Sequence, residues 1–290
     1  MQPYEWMAQD TPQKLWIDGK GVLVWFAEVF GALGGGLYVV SLYFNSLEGM
    51  FISWLVVVTL KCGFHFAHLG RPFRVWRLAL KPRTSWLARG FIFLALFIGF
   101  GAVQLAISLW LPGTAWEVVF KVATGIMAIL VAAYTGFVMN YVNGIPFWNS
   151  AVLPLLFVSF GVLGGLAVIT VIAVLGAHVD IRAVVAGIRL LLVVNALLMV
   201  TYLWSATYMG PTGKRSVEEL VRGYLAPVLW GGVVLCGIVI PFGIVSFYHF
   251  VGVATVPLLI VVACVMIGVF SLNYCLLKGA LYRPLIPTST

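Results

Sequence analysis

Residues 48–89 read EGMFISWLVVVTLKCGFHFAH followed by LGRPFRVWRLALKPRTSWLAR. The first of these two segments is 21 residues long and carries only Glu48 and Lys61 as fixed charges. At about 1.5 Å per residue it is long enough for a helix to cross the ~30 Å hydrocarbon core of a bilayer. The second segment holds six Lys or Arg and no Asp or Glu. An apolar run that stops against a block of positive charge reads as a transmembrane helix reaching the surface.

The rest of the chain has the same character. Of 290 residues, 62% are hydrophobic and 9% charged, with a mean hydropathy of +1.08, against about 25% charged in a soluble domain. A soluble enzyme is excluded, and so is a large soluble domain beside the membrane part. The net charge of +8, from 17 Lys and Arg against nine Asp and Glu, would suit a nucleic-acid partner. With so few charges, their placement matters more than their sum.

Apolar runs and the breaks between them predict eight helices, at 21–43, 48–68, 90–111, 116–140, 150–176, 183–209, 225–248 and 252–277. The fold expected is an all-α polytopic membrane protein of two four-helix bundles, residues 21–140 and 150–277. These are joined by the loop 141–149 and flanked by tails 1–20 and 278–290. An even number of spans puts both tails on one face, side A. Side A then collects 13 of the 17 Lys and Arg, and the opposite face, side B, holds only Arg182 outside the spans. By the positive-inside rule side A is cytoplasmic, so both termini are expected inside. Glu5, Asp10 and Asp18 near the start give no basic leader and no cleavage site, so no removable signal peptide is expected.

Gly31-Ala-Leu-Gly-Gly-Gly in the first helix is echoed by Gly161-Val-Leu-Gly-Gly in the fifth, and Ala67-His-Leu-Gly-Arg-Pro by Ala206-Thr-Tyr-Met-Gly-Pro. Two repeated four-helix halves would produce this echo. So would glycines recurring wherever membrane helices pack closely.

Ionisable groups inside a span cost about 2.5–3.5 kcal/mol on insertion scales and so need a partner, a cavity or a route to the interface. Lys61, His65 and His68 are spaced i, i+4, i+7 and share one helix face. By helix rise, Glu28 lies about 10 Å below side A, His65 about 5 Å and Tyr134 about 9 Å. Groups that exchange or share protons therefore gather at similar depth on three helices. A quinone needs hydrogen bonds to two carbonyl oxygens and a supply of two protons, and His, Tyr and Glu meet that need. The candidate quinone contacts are Tyr134, His68, Glu28 and His65, with Glu28, Lys61 and His65 as proton carriers. Lys121 and Arg189 lie near side B, where snorkelling to the interface is their ordinary role.

A b-type haem held by two histidines needs them on different helices at matching depth. His65 and His68 share a helix, while His178 and His249 fall at side B, so no haem is expected. The four cysteines, Cys62, Cys236, Cys264 and Cys275, stand singly in predicted spans, without the spacing of a metal, iron–sulfur or disulfide site.

The stretch His68-Leu-Gly-Arg-Pro-Phe-Arg-Val-Trp-Arg77, with Lys81-Pro-Arg-Thr-Ser-Trp86 and Arg89-Gly90, resembles the NrfD/PsrC family of membrane subunits from polysulfide reductase-like complexes. Tyr134-Thr-Gly136 leading into Gly144-Ile-Pro-Phe-Trp-Asn149 looks like the end of that family's fourth helix and the loop after it. The resemblance implies a haem-free anchor in a prokaryotic cytoplasmic (inner) membrane that binds menaquinone or ubiquinone. It implies a ferredoxin-like iron–sulfur subunit as electron partner, linked to a molybdopterin catalytic subunit. It places Tyr134 as the quinone-contacting tyrosine and His68 as the histidine preceding Leu-Gly in the DMSO-reductase type of anchor. Arg71, Arg74, Arg77 and Arg83, with Trp148, are then a docking surface for the partner. In relatives with exported catalytic subunits the pocket faces outward, whereas the basic residues of side A point to the cytoplasm unless they serve docking. A secondary transporter and a purely structural anchor are the competing readings.

Overall fold

A computed structural model describes residues 5–251 and 254–286, with the backbone alone for residues 5, 6 and 249–251. Among the described residues eight helices are long and apolar enough to span a membrane: Gly19–Tyr43, Leu47–His68, Trp86–Trp110, Ala115–Asn140, Val152–Val174, Ile181–Thr207, Val228–Tyr248 and Thr255–Lys278. They are numbered here as spans 1 to 8. The chain is an all-α, multi-pass membrane protein, as the apolar runs predicted. The predicted connection 249–251 is instead the end of a helix, Ile240–Val251, and residues 252–253, with which the eighth helix was predicted to begin, lie outside the described residues.

Local chemistry sets most boundaries. Span 2 starts where the Ser46 hydroxyl accepts the Gly49 amide at 3.1 Å. Span 3 starts at Trp86, four residues ahead of its apolar run, because Ser85 caps it through the Ala88 amide at 3.3 Å. Asp180 caps span 6 through the Arg182 and Ala183 amides. Two spans are not uniformly α-helical. Span 2 contains a π-helical stretch at Val57–Lys61, and span 7 is π-helical from Val228 to Val239. A π turn adds a residue to the ring closed by each hydrogen bond and so turns the following side chains to a new face.

Span 1 runs through the middle of the molecule. Its Tyr38 joins a buried apolar cluster with Met50, Val57, Phe97, Leu105, Ala128 and Val131 of spans 2, 3 and 4. Its Val29, Ala32, Leu37 and Val40 belong to a second, larger cluster built mainly by spans 5 to 8. The two echoing glycine runs meet at this crossing. A Cβ on Gly36 would lie 2.1 Å from the carbonyl carbon of Gly161, and one on Gly161 would lie 2.3 Å from the Ala32 oxygen.

On side A the tails are tied together. Thr11–Pro12 pairs antiparallel with Leu281–Tyr282, Asp10 takes Thr212 Oγ1 at 2.7 Å and Arg215 Nη1 at 3.3 Å, and Lys278 meets Asp18 at 2.5 Å. The connection 210–224 is not a plain loop. It holds an amphipathic helix, Pro211–Val221, whose Val217 and Leu220 are buried while Lys214 and Arg215 face out.

Candidate functional site

The site is assembled about 10 Å below side A by spans 1, 2 and 4. Lys61 Nζ donates to Glu28 Oε2 at 3.0 Å and to the Tyr134 hydroxyl at 2.8 Å. His65 Nε2 lies 3.2 Å from the same hydroxyl and 3.5 Å from Glu28 Oε1. Tyr134 in turn donates to Glu28 Oε1 at 3.4 Å, and Thr135 donates to Glu28 Oε2. Lys61 Nζ also sits over the Tyr134 ring, 4.7 Å from its centre.

Burial divides the cluster. The side chains of Lys61 and Glu28 are 0% and 6% exposed, and that of His65 is 32% exposed. The ion pair is thus sealed inside the bundle, where removing one partner strands the other's charge. His65 is the partly exposed member of the cluster. Beside it, Phe64 stacks on Phe26 and Phe30 of span 1 at 5.2 and 5.7 Å between centres. Trp86 stacks on Phe137 at 4.6 Å, one turn beyond Tyr134.

Two glycines make the room. A Cβ on Gly31 would lie 3.0 Å from the Lys61 Nζ and Cε, and one on Gly90 would lie 2.3 Å from the Tyr134 ring. Gly31 lets the lysine stem cross to Glu28. Gly90, in the first turns of span 3, lets the tyrosine ring pack directly against its backbone.

The matched profile of the family described as "Polysulphide reductase, NrfD" covers residues 21–284, which is all of spans 2 to 8 and all but the first two residues of span 1. The chain belongs to the NrfD family. A curated relative, the C subunit of polysulfide reductase from Wolinella succinogenes, is 28% identical over 127 residues, which are 42% of this chain and 40% of the relative. The match thus spans about two fifths of that relative's length.

The structure of this NrfD-family protein brings together Glu28, Lys61, His65 and Tyr134, as their depths predicted, but not the third rung of the histidine ladder. Helix geometry ends at His68, Leu69 is extended, and the partly exposed His68 ring bonds through Nδ1 to the Lys20 carbonyl at 3.0 Å. Arg71, Arg74, Arg77 and Arg83 are all exposed on side A. Trp148 is not a surface residue, and this corrects its expected place in a docking face. It is 1% exposed, donates to the Leu276 carbonyl at 2.8 Å and packs on Trp16. An aromatic in a polar loop reads as exposed in the sequence, yet its indole is the peg that fastens the loop to span 8.

Sequence reasoning also missed Thr135, Gly31 and Gly90 at the site. Thr135 was legible, since it adjoins Tyr134 and lies on a polar patch of a span. Near side B a separate polar chain was missed because only ionisable residues were weighed. Tyr38 donates to Gln104 at 3.0 Å, Gln104 to Ser108 at 2.9 Å and Ser108 to Glu117 at 2.8 Å. Glu117 pairs with Lys121, which also reaches Asn45, each at 2.9 Å. Lys121 is therefore a bound partner, and Arg189 lies exposed on span 6. Between the two polar clusters stand Val57, Ala128 and Val131, each fully buried. Among the described residues no three His, Cys, Asp or Glu come together as a metal site.

Proposed function

We propose that Glu28, Lys61, His65 and Tyr134 form a quinone-reactive site in the membrane anchor of a respiratory oxidoreductase. The observation that carries this reading is the convergence of a partly exposed imidazole, a phenol and a buried carboxylate–ammonium pair on one point. The quinone supplies a two-electron, two-proton carrier. His65 offers an N–H or a lone pair on the partly exposed side of the cluster, and the Tyr134 hydroxyl, 3.2 Å behind it, can relay a proton to that ring. Glu28 and Lys61 hold the hydroxyl in place and give protons a path through hydrogen bonds already formed. The stacked Phe26, Phe30 and Phe64 suit the apolar ring and tail of menaquinone or ubiquinone.

Family membership supports an iron–sulfur partner, in turn serving a molybdopterin subunit, that approaches over the tied tails and the Pro211–Val221 helix. The charge bias supports side A as the cytoplasmic face, and family membership supports a prokaryotic cytoplasmic membrane. The test uses the intact complex. Tyr134→Phe and His65→Ala should cut quinol-coupled turnover at least ~100-fold, as loss of general acid–base groups does, with dye-coupled activity of the partner retained. Full quinol turnover in both variants rejects the site. A structural role for the cluster is the second reading, favoured by the full set of internal partners around Glu28. It predicts that these variants lose stability and keep turnover in whatever fraction stays folded.

A further inference from the structure

We infer that the 3₁₀ segment Pro72–Leu80 is an anchor for anionic phospholipid headgroups rather than a protein-docking surface. This is independent of the quinone reading. The segment joins the side-A ends of spans 2 and 3, so it must lie in the headgroup layer. Its nine residues form a 3₁₀ helix with no buried residue. With three residues per turn, side chains at i and i+3 eclipse. Arg74 and Arg77 therefore fall in one row with Leu80, led by Arg71 at the non-helical N-cap, and Phe73 and Trp76 fall in the next, while Pro72, Val75 and Leu78 make the third. Both of the first two rows are open: Phe73 is 94% and Trp76 56% exposed, and the three arginines are exposed beside them. Arg77 also lies over the Trp76 ring at 5.6 Å.

Among the described residues the charges of this segment have no acidic partner. Elsewhere on side A, Arg215 pairs with Asp10, Lys278 with Asp18 and Lys214 with Glu218. Among the described residues no carboxylate comes within ion-pair distance of Arg71, Arg74, Arg77, Lys81 or Arg83, and residues 69–89 contain no Asp or Glu at all. A basic row next to an exposed aromatic row, at the membrane boundary, matches the two parts of an anionic lipid. Phosphates meet the guanidinium groups, and the upper acyl chains meet Phe73 and Trp76. The far end is pinned by Arg89, which donates to the Pro82 and Arg83 carbonyls at 2.8 and 2.9 Å and stacks over Trp86. That fixes the segment along the surface.

The test places the whole complex in phosphatidylcholine nanodiscs with a rising fraction of brominated phosphatidylglycerol. Trp76 quenching is read as the difference between the protein and its Trp76→Phe variant. Half-quenching is expected at a low phosphatidylglycerol fraction. The triple variant Arg71→Gln, Arg74→Gln, Arg77→Gln should weaken that preference by up to about a hundredfold, taking each arginine as a typical juxtamembrane basic residue. An unquenched Trp76 overturns the inference, as does equal quenching by brominated phosphatidylcholine and phosphatidylglycerol. So does a triple variant that sheds the partner subunits while its lipid preference stays intact, since that result makes the row a protein-docking face.

Discussion

Gly90→Ala is the most economical probe of the site, because it adds one methyl group and touches no polar atom. The new Cβ would stand 2.3 and 2.6 Å from two carbons of the Tyr134 ring. Ordinary contact needs at least about 3.4 Å, so the ring must retreat by about 1 Å. The backbone of span 3 cannot yield instead without unpacking its first turns, where Ala88 and Gly90 are both buried. Moving the hydroxyl by that distance breaks a 2.8 Å bond from Lys61 and a 3.2 Å contact with His65. Overpacking of this kind costs about 1–3 kcal/mol of stability, and a 1 Å misplacement at a reacting group costs on the order of 10²-fold in rate. The assay is quinol-coupled turnover of the complex beside dye-coupled turnover, with thermal unfolding in detergent. The expected pattern is a strong loss of the first, little change in the second and a moderate fall in Tm. Tyr134→Ala opens the space that the methyl needs, so Gly90→Ala should have little further effect on stability in that background. If Gly90→Ala alone leaves quinol turnover and Tm at their original values, the packing argument is wrong.

Lys61→Met should destabilise by about 3–5 kcal/mol, because it leaves Glu28 buried without its counter-ion; the double variant Glu28→Leu, Lys61→Met should recover most of that loss in thermal unfolding yet stay inactive with quinol. Gln104→Leu severs the side-B chain between Tyr38 and Ser108, and should lower Tm through a buried hydrogen-bond loss of about 1–3 kcal/mol. Quinol turnover in that variant should remain intact, and a large drop would mean that the apolar layer at Val57, Ala128 and Val131 does not separate the two polar clusters. Gly35→Ala, whose Cβ would lie 2.4 Å from the Ala128 carbonyl oxygen, should push spans 1 and 4 apart. Its signature is a quinol-turnover loss larger than the one caused by Gly237→Ala at the remote crossing of spans 7 and 8, at matched loss of stability.

The spans were legible because twenty apolar residues are a strong and local signal, and the charge bias fixed their number. Glu28, Lys61 and His65 were legible for a related reason: a charge in a membrane must be solvated by something, and equal depth brought the partners together. His68 shows the limit of that argument. Its i+7 spacing puts it on the shared face of an ideal helix, but the helix stops at that residue and the ring finds the Lys20 carbonyl. The π stretch at Val57–Lys61 left no trace in residue types, since it depends on how span 2 fits its neighbours. Trp148 and the Pro211–Val221 helix were misread as loop chemistry because their apolar surface is buried against distant parts of the protein, Leu276 among them. The role of Gly31 and Gly90 depends on what faces them, which no single sequence contains.

The glycine run and the site belong to one design. Glu28 has a short side chain and sits on span 1, yet it must reach Lys61 on span 2 and both Tyr134 and Thr135 on span 4. That is possible only if those backbones approach more closely than ordinary side chains allow. Span 1 achieves this on successive faces: Gly34 against Val57 of span 2, Gly35 against the Ala128 carbonyl of span 4, and Gly36 against Gly161 of span 5. Membrane helices have no hydrophobic drive toward one another, so close packing of small residues is the available force. The crossing with span 5 braces span 1 from behind, which keeps Glu28 from swinging out of the cluster. The counterparts of that run in the second half, Gly161, Gly164 and Gly165, have Val158 in place of Glu28 at the same offset. The two halves share a packing device, and only the first has a carboxylate at that offset.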